Sequence, residues 1–198
     1  MNLIKFKPSL LATLQAAFLI FGVLALGYSG FVLADAAIYQ QLALKQFKHA
    51  VAGVPSVAGR SVDPALALAR LEIPRLGIDA VVVEGTSDGD LRRALGHVPA
   101  TALPGEAGNA AIAGHRDSFF RPLRMVRKGD LIRVTTRRGT YLYEVEYAEV
   151  VPPGDLLVLQ PTTQPSLTLV TCFPFQYIGS APDRFIVRAR QTTVASGE

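Results

Sequence analysis

Two kinds of hydrophobic patterning divide the chain. Residues 10–34 are almost uniformly apolar, interrupted only by Thr13, Gln15, Tyr28 and Ser29, and Lys5 and Lys7 are followed by no charged residue until Asp35. A helix over 10–34 would be about 37 Å long at 1.5 Å per residue, enough to cross a hydrocarbon core of roughly 30 Å with some tilt. Lysines before this segment and none directly after it predict the amino terminus in the cytoplasm and the rest of the chain on the far side. A cleaved signal peptide is the competing reading, because Ala34-Asp35-Ala36 offers a small-residue site. The apolar stretch is longer than the usual 7 to 15 residues of such peptides, so an uncleaved single-pass anchor is expected.

From residue 67 the pattern changes to short apolar or alternating runs, at 67–74, 80–84, 109–114, 130–136, 141–150, 167–172 and 184–190. Turn residues such as Lys128-Gly129-Asp130 and Arg138-Gly139 separate them, and runs of this length and composition read as strands. Only 87–95 reads as a helix, with Ser87 as N-cap and Asp88 and Asp90 at the positive end of its dipole. Six or seven strands with one or two small helices predict an all-β barrel or sandwich. Between the two regions, 35–66 shifts to Gln, Ala and Lys and then to Gly53, Pro55, Ser56, Gly59 and Pro64. It carries no sustained apolar period, so it reads as a stalk whose first part continues the membrane helix and whose Gly/Pro part is a flexible tether. His49 lies in it as a solvated residue. The roughly 125 residues that follow suffice for one domain with its own core.

The chemistry of that domain centres on its one cysteine. Cys172 ends the run Ser166-Leu167-Thr168-Leu169-Val170-Thr171-Cys172, just before Phe173-Pro174-Phe175. A lone cysteine cannot form an intrachain disulfide, and outside the cytoplasm an unpaired thiol is exposed to oxidation. Either it is buried as a small apolar filler or it is used as a thiol. Its place where a strand meets a loop suits a reactive group. His115 stands in a similar place, in Ala111-Ile112-Ala113-Gly114-His115-Arg116-Asp117. It is the residue type that exchanges protons with a cysteine nucleophile, or else a surface residue capping a loop. Arg184, after Ala181-Pro182-Asp183, is a solvated strand terminus or a guanidinium aimed at a carbonyl or oxyanion. His97, in Gly96-His97-Val98-Pro99, has the same ambiguity in a weaker context.

Together these segments resemble the sortase family of cysteine transpeptidases. Thr168-Leu169-Val170-Thr171-Cys172 fits the family's Thr-Leu-x-Thr-Cys signature, Gly114-His115 fits its histidine motif, and Arg184 stands twelve residues beyond the cysteine. The resemblance covers 67–190. The stretch from Gly96-His97-Val98-Pro99 through His115-Arg116-Asp117-Ser118-Phe119-Phe120 looks most like the class D and Gram-negative-type sortases. It implies an eight-stranded sortase-type β-barrel with one or two short helices, preceded by a transmembrane helix. The expected organisation is a cytoplasmic amino terminus at 1–9, an anchor at 10–34, a stalk at 35–66, the catalytic domain at 67–190 and a tail at 191–198.

The resemblance also implies roles. Cys172 would attack the threonine carbonyl of a sorting signal similar to Leu-Pro-x-Thr-Gly, His115 would protonate the departing amine, and Arg184 would hold the substrate or its oxyanion. An amine from a cell-wall precursor or a protein would then open the thioester. Thr171, beside the nucleophile, either lines the site or fills the strand, His97 is expected to face the groove, and Asp117 either orients the imidazole or caps its loop. An L,D-transpeptidase is a competing cysteine enzyme, but Thr171-Cys172-Phe173 does not supply its cysteine setting. A non-catalytic β-module would be marked by loss of one of the three residues, and all three are present. Three dispersed histidines and one cysteine make no zinc site of the usual kind, and no phosphate-cradling glycine loop occurs, so no metal or cofactor is expected. The net charge of +4 is modest. Arg121, Arg124, Arg127, Arg137 and Arg138 read as a solvated face toward an anionic membrane or wall polymer rather than as a nucleic-acid site.

Overall fold

The computed structural model describes residues 10–51 and 67–195. The expected cytoplasmic residues 1–9 with Lys5 and Lys7, the Gly/Pro part of the stalk at 52–66 and the last residues of the tail lie outside them. The described chain divides into two units, the first ending at Ile38 and the second beginning at Tyr39.

The first unit is helical. It belongs to α1 (Leu10–Val51), of which Leu10–Lys48 is long and apolar enough to cross a membrane. Leu10, Phe18, Phe21, Leu24, Phe31 and Leu33 are exposed, so apolar side chains surround the helix instead of lining one face. That is the distribution a lipid environment favours. The Thr13 hydroxyl donates to Leu10 O at 2.8 Å and that of Ser29 to Ala25 O at 2.9 Å. Both polar groups are thereby satisfied inside the segment, as hydrocarbon requires.

The second unit begins with the end of α1, and here the stalk expectation needs correction. Tyr39, Ala43, Leu44 and Phe47 recur at helical spacing and pack with Ala67, Val81, Val83 and Ala94, with Ala43 and Phe47 fully buried. Gln40 accepts from Val81 N–H at 3.0 Å and donates to Arg93 O at 2.5 Å, and the Arg93 guanidinium lies 5.9 Å from the centre of the Tyr39 ring. This stretch is a docked element of the domain. Its period is easily missed because alanine supplies one apolar contact and lysine and glutamine fill the outer face.

Among the described residues, eight strands close into a barrel: β1 (Ala67–Ile73), β2 (Ile78–Glu84), β3 (Leu95–His97), β4 (Asn109–Ala113), β5 (Leu131–Thr136), β6 (Gly139–Val151), β7 (Ser166–Phe173) and β8 (Asp183–Ala195). Their order around the barrel is β1-β2-β3-β4-β7-β8-β6-β5. The pairs β2/β3 and β4/β7 are parallel and the others antiparallel. Closure leaves no sheet edge among them. The short helix α2 (Asp88–Arg93) makes the β2–β3 crossover, and its start is a capping box. The Ser87 side chain accepts from Asp90 N–H, and the Asp90 carboxylate accepts from Ser87 N–H. The helical run read through residue 95 stops at Arg93, because Leu95 turns inward to begin β3.

Strand alternation builds the core. Leu71 and Ile73 of β1, Ile132 and Val134 of β5, Leu167 and Leu169 of β7 and Val187 and Ala189 of β8 point inward and pack with Ile112, Phe120 and Leu123. Burying a side chain of this size contributes about 1.5–3 kcal/mol. Tyr143 is buried among them and its hydroxyl accepts from Gly105 N–H at 2.8 Å, while burial pushes its phenol up to about 12. At the start of β5, the Asp130 carboxylate accepts from the Arg75 guanidinium, at 2.6 Å for Nη2 to Oδ2, and from Arg127 N–H at 2.8 Å. The Arg75 hydrogen bond is the main cause that holds its carboxyl below the usual range.

Candidate active site

Three adjacent strands place the reactive side chains, and the inward positions on each identify the outward ones. Because Leu167 and Leu169 face the core, Ser166, Thr168, Val170 and Cys172 face outward on β7. On β8, inward Val187 and Ala189 put Arg184, Ile186 and Arg188 outward. On β4, inward Ala110 and Ile112 put Asn109, Ala111 and Ala113 outward.

The pairing then sets the row. Cys172 is directly opposite Arg184 in the antiparallel β7/β8 ladder, where facing side chains have Cβ atoms about 5 Å apart. On the other flank Ala113 is in register with Val170, and Gly114 N–H continues the pairing by donating to Val170 O at 3.1 Å. His115 follows Gly114, just beyond the end of β4 at Ala113. The thiol therefore faces outward opposite Arg184, His115 follows the neighbouring strand, and all three side chains are partly exposed.

Local chemistry holds this row. Gly114 is required by space, since a Cβ there would lie 2.6 Å from Leu95 Cδ2 and 2.8 Å from Phe120 Cδ2. Beyond it the chain turns, with Phe120 N–H donating to His115 O at 3.2 Å. Arg184 Nη1 donates to Asp183 O at 2.9 Å, and among the described residues its Nε and Nη2 donors have no hydrogen-bond acceptor. Phe173, Phe175 and Phe185 form an aromatic cluster with centroids 5.2–6.2 Å apart where β7 leaves the site. A thiol flanked by a proton-exchanging ring and an oriented multi-donor cation can attack an acyl carbon, protonate a leaving amine and hold the oxyanion.

Two of the other expected contacts point away from this face. Thr171 is fully buried, on the inward side of β7, and its hydroxyl donates to Gly114 O at 2.7 Å. It tethers the residue before His115 and does not line the groove, because neighbours on a strand face opposite ways. His97 is buried on the same side of β3 as Leu95. Its Nδ1 lies 2.9 Å from Glu84 Oε2, and its Nε2 lies 3.0 Å from Ala102 O and 3.1 Å from Thr101 Oγ1. Both nitrogens are occupied in a structural tie between β2, β3 and the following loop. Asp117 is exposed on the turn after His115, and among the described residues no hydrogen bond joins the two. No cluster of three His, Cys, Asp or Glu side chains suited to a metal occurs among the described residues.

Sequence reasoning missed two polar arrangements beside the row. Val158 O, in the β6–β7 segment, accepts from Asn109 Nδ2 at 3.0 Å and Arg188 Nη2 at 2.9 Å, while the Thr168 hydroxyl donates to Asn109 Oδ1 at 2.6 Å. These groups tie that segment over the lower part of the outward face. The available signal was Thr168 itself, a polar residue alternating with two core leucines. The second is Arg116, whose Nη2 reaches across to Tyr177 O at 2.8 Å and Gly179 O at 3.0 Å in the β7–β8 segment. No sequence pattern announces that contact, which spans sixty residues.

The comparisons with known proteins agree with this architecture. The family model described as Sortase domain matches residues 71–192. Sortase D of Bacillus subtilis (strain 168) is 33% identical over 187 residues, an alignment covering 87% of this chain and 94% of the relative. A solved sortase D5 transpeptidase of Clostridium perfringens superposes with a TM-score of 0.64 at 27% identity, covering 81% of this chain and 99% of the other. Sortase C1 from Streptococcus agalactiae gives a TM-score of 0.61 at 30% identity, with 67% and 71% covered. With a closed eight-stranded barrel, the Thr-Leu-x-Thr-Cys strand end and this likeness over most of its length, the chain belongs to the sortase family of cysteine transpeptidases.

Proposed function

We propose that this protein is a membrane-anchored sortase that cleaves a Leu-Pro-x-Thr-Gly-like sorting signal and transfers the acyl part to an amine, attaching proteins to the cell envelope. The observation that carries this reading is Cys172 facing outward directly opposite Arg184 in the β7/β8 ladder, with His115 just beyond the end of neighbouring β4. In the first half-reaction the Cys172 thiolate attacks the threonine carbonyl carbon, and the carbon–nitrogen bond to the next residue breaks. The departing amine takes a proton from the His115 imidazolium, leaving a thioester on Sγ. In the second, an acceptor amine attacks the thioester and gives its proton back to His115 as the thiolate leaves. One amide bond is exchanged for another. Arg184 donates to the carbonyl as its oxygen becomes negative, with the donors that have no acceptor among the described residues.

The apolar part of α1 that precedes the docked residues from Tyr39 supports a single-pass anchor in the cytoplasmic (inner) membrane, and Lys5 and Lys7 ahead of it favour the amino terminus inside and the barrel outside. Protease added outside intact cells then reaches the barrel, and a protected barrel would refute that orientation. The activity is tested with a fluorogenic sorting-signal peptide and an added amine. Wild type yields the amine-ligated product and a peptide mass trapped on Cys172, and Cys172→Ala yields neither while keeping its thermal transition. Peptide turnover by the alanine variant would overturn the mechanism.

A further inference from the structure

We propose that Arg116 is a positioning residue that clamps the β7–β8 segment against the turn carrying His115 and so sets the conformation in which this segment meets the substrate. This rests on the sortase reading for its substrate, though not for the clamp itself.

The β7/β8 ladder fixes Cys172 and Arg184, but residues 174–182 lie outside it. A segment of that kind needs side-chain contacts to hold one shape. Arg116 supplies them from the opposite side of the site. One nitrogen, Nη2, donates to both Tyr177 O and Gly179 O, and the guanidinium carbon lies 5.7 Å from the centre of the Tyr177 ring. Two carbonyls two residues apart can turn toward one donor only if the chain folds tightly between them. Gly179 meets this need with φ +96°, a conformation costly for any residue with a Cβ. The turn leaves Ile178 between the two carbonyls, and its side chain stands wholly in solvent, with Tyr177 half exposed beside it.

An apolar side chain presented to water gains free energy only when something covers it. The clamp therefore fixes where Tyr177 and Ile178 stand relative to a bound peptide.

The experiment uses the full-length protein in detergent and compares Arg116→Gln and Arg116→Lys with wild type in two assays. Chymotrypsin cleavage after Tyr177, followed without substrate, should accelerate at least about tenfold in Arg116→Gln, the shift expected from losing roughly one net hydrogen bond. Arg116→Lys, which retains a donor cation, should fall between. With Leu-Pro-x-Thr-Gly peptides, KM should rise on the order of tenfold in Arg116→Gln while kcat and both limbs of its pH profile stay near wild type, because the β7/β8 ladder still holds Cys172 and the Thr171–Gly114 hydrogen bond still tethers the residue before His115. Unchanged cleavage after Tyr177 would overturn the clamp. Faster cleavage with unchanged KM, or a loss confined to kcat, would overturn its positioning role. If Arg116→Gln does not fold, the lysine variant carries both readouts. A wild-type protein that ignores the peptides yet shows the expected protease pattern would refute the substrate reading and leave the clamp standing.

Discussion

Replacing Thr171 by valine separates two roles that its place beside the nucleophile confuses. Valine keeps the shape and loses the hydroxyl that donates to Gly114 O at 2.7 Å in a fully buried site. Losing one such bond and leaving the carbonyl without this donor costs about 1–3 kcal/mol. For a domain of this size that lowers the melting temperature by roughly 3–10 °C. The function should suffer in addition, because the lost bond tethers the residue that precedes His115. A displacement of an ångström or less in a catalytic group can cost on the order of a hundredfold in rate, so kcat for peptide cleavage should fall about 10- to 100-fold with KM little changed. Thr171→Ser keeps the donor and should stay within a few-fold of wild type. Stopped or steady-state cleavage of the fluorogenic peptide, run well below the lowered melting temperature, checks this together with a thermal melt. If Thr171→Val raises KM alone and melts like wild type, the hydroxyl touches substrate and its assignment as a tether is wrong. If the serine variant is as impaired as the valine variant, the hydroxyl is not what matters.

Two further perturbations test the arginine of the row and a structural carboxylate. Arg184→Lys keeps the charge but not the planar donor geometry, and should cost about 2–4 kcal/mol in kcat/KM for peptide cleavage; nearly full activity would show that charge alone suffices. Asp130→Asn should lower the melting temperature at neutral pH, and its difference from wild type should shrink as pH falls. Arg75 first, and Arg127 N–H with it, hold the folded carboxyl below its unfolded value, so the stabilisation is complete above about pH 4 and is lost as pH drops through the folded value. A constant difference down to acid denaturation would refute that linkage.

Most of the barrel could be read directly because its strands are half-buried: one face meets the core, so apolar and polar residues alternate at a period that sequence displays. The run at 167–172 is such a case and stands where it was expected, and the expected N-cap at Ser87 is also found. β3 could not be found this way. Three residues carry no period, and Leu95 looks like the last turn of the helix before it. The docked end of α1 is hard to read for a different reason: Ala43, Phe47 and the partly buried Tyr39 are separated by residues of stalk-like composition, which masks their spacing.

The site residues follow the same division between what alternation states and what adjacency suggests. Cys172 and Arg184 occupy strand ends whose neighbours face the core, and parity alone places them on the outer face, while His115 follows the end of β4. Only nearness in sequence or motif suggests the groove for Thr171 and His97. The same parity, applied to Leu167, Leu169 and Thr171, puts the threonine inside with the two leucines. In a strand the residue next to a nucleophile is the one that faces the other way, so nearness to Cys172 was itself the argument that Thr171 acts through the backbone of Gly114 and not on the substrate. The same geometry explains how the site is stiffened from beneath: Thr171, one step inward of Cys172, is hydrogen-bonded to Gly114 O just past the end of β4 and holds the spacing on which the proposed chemistry relies.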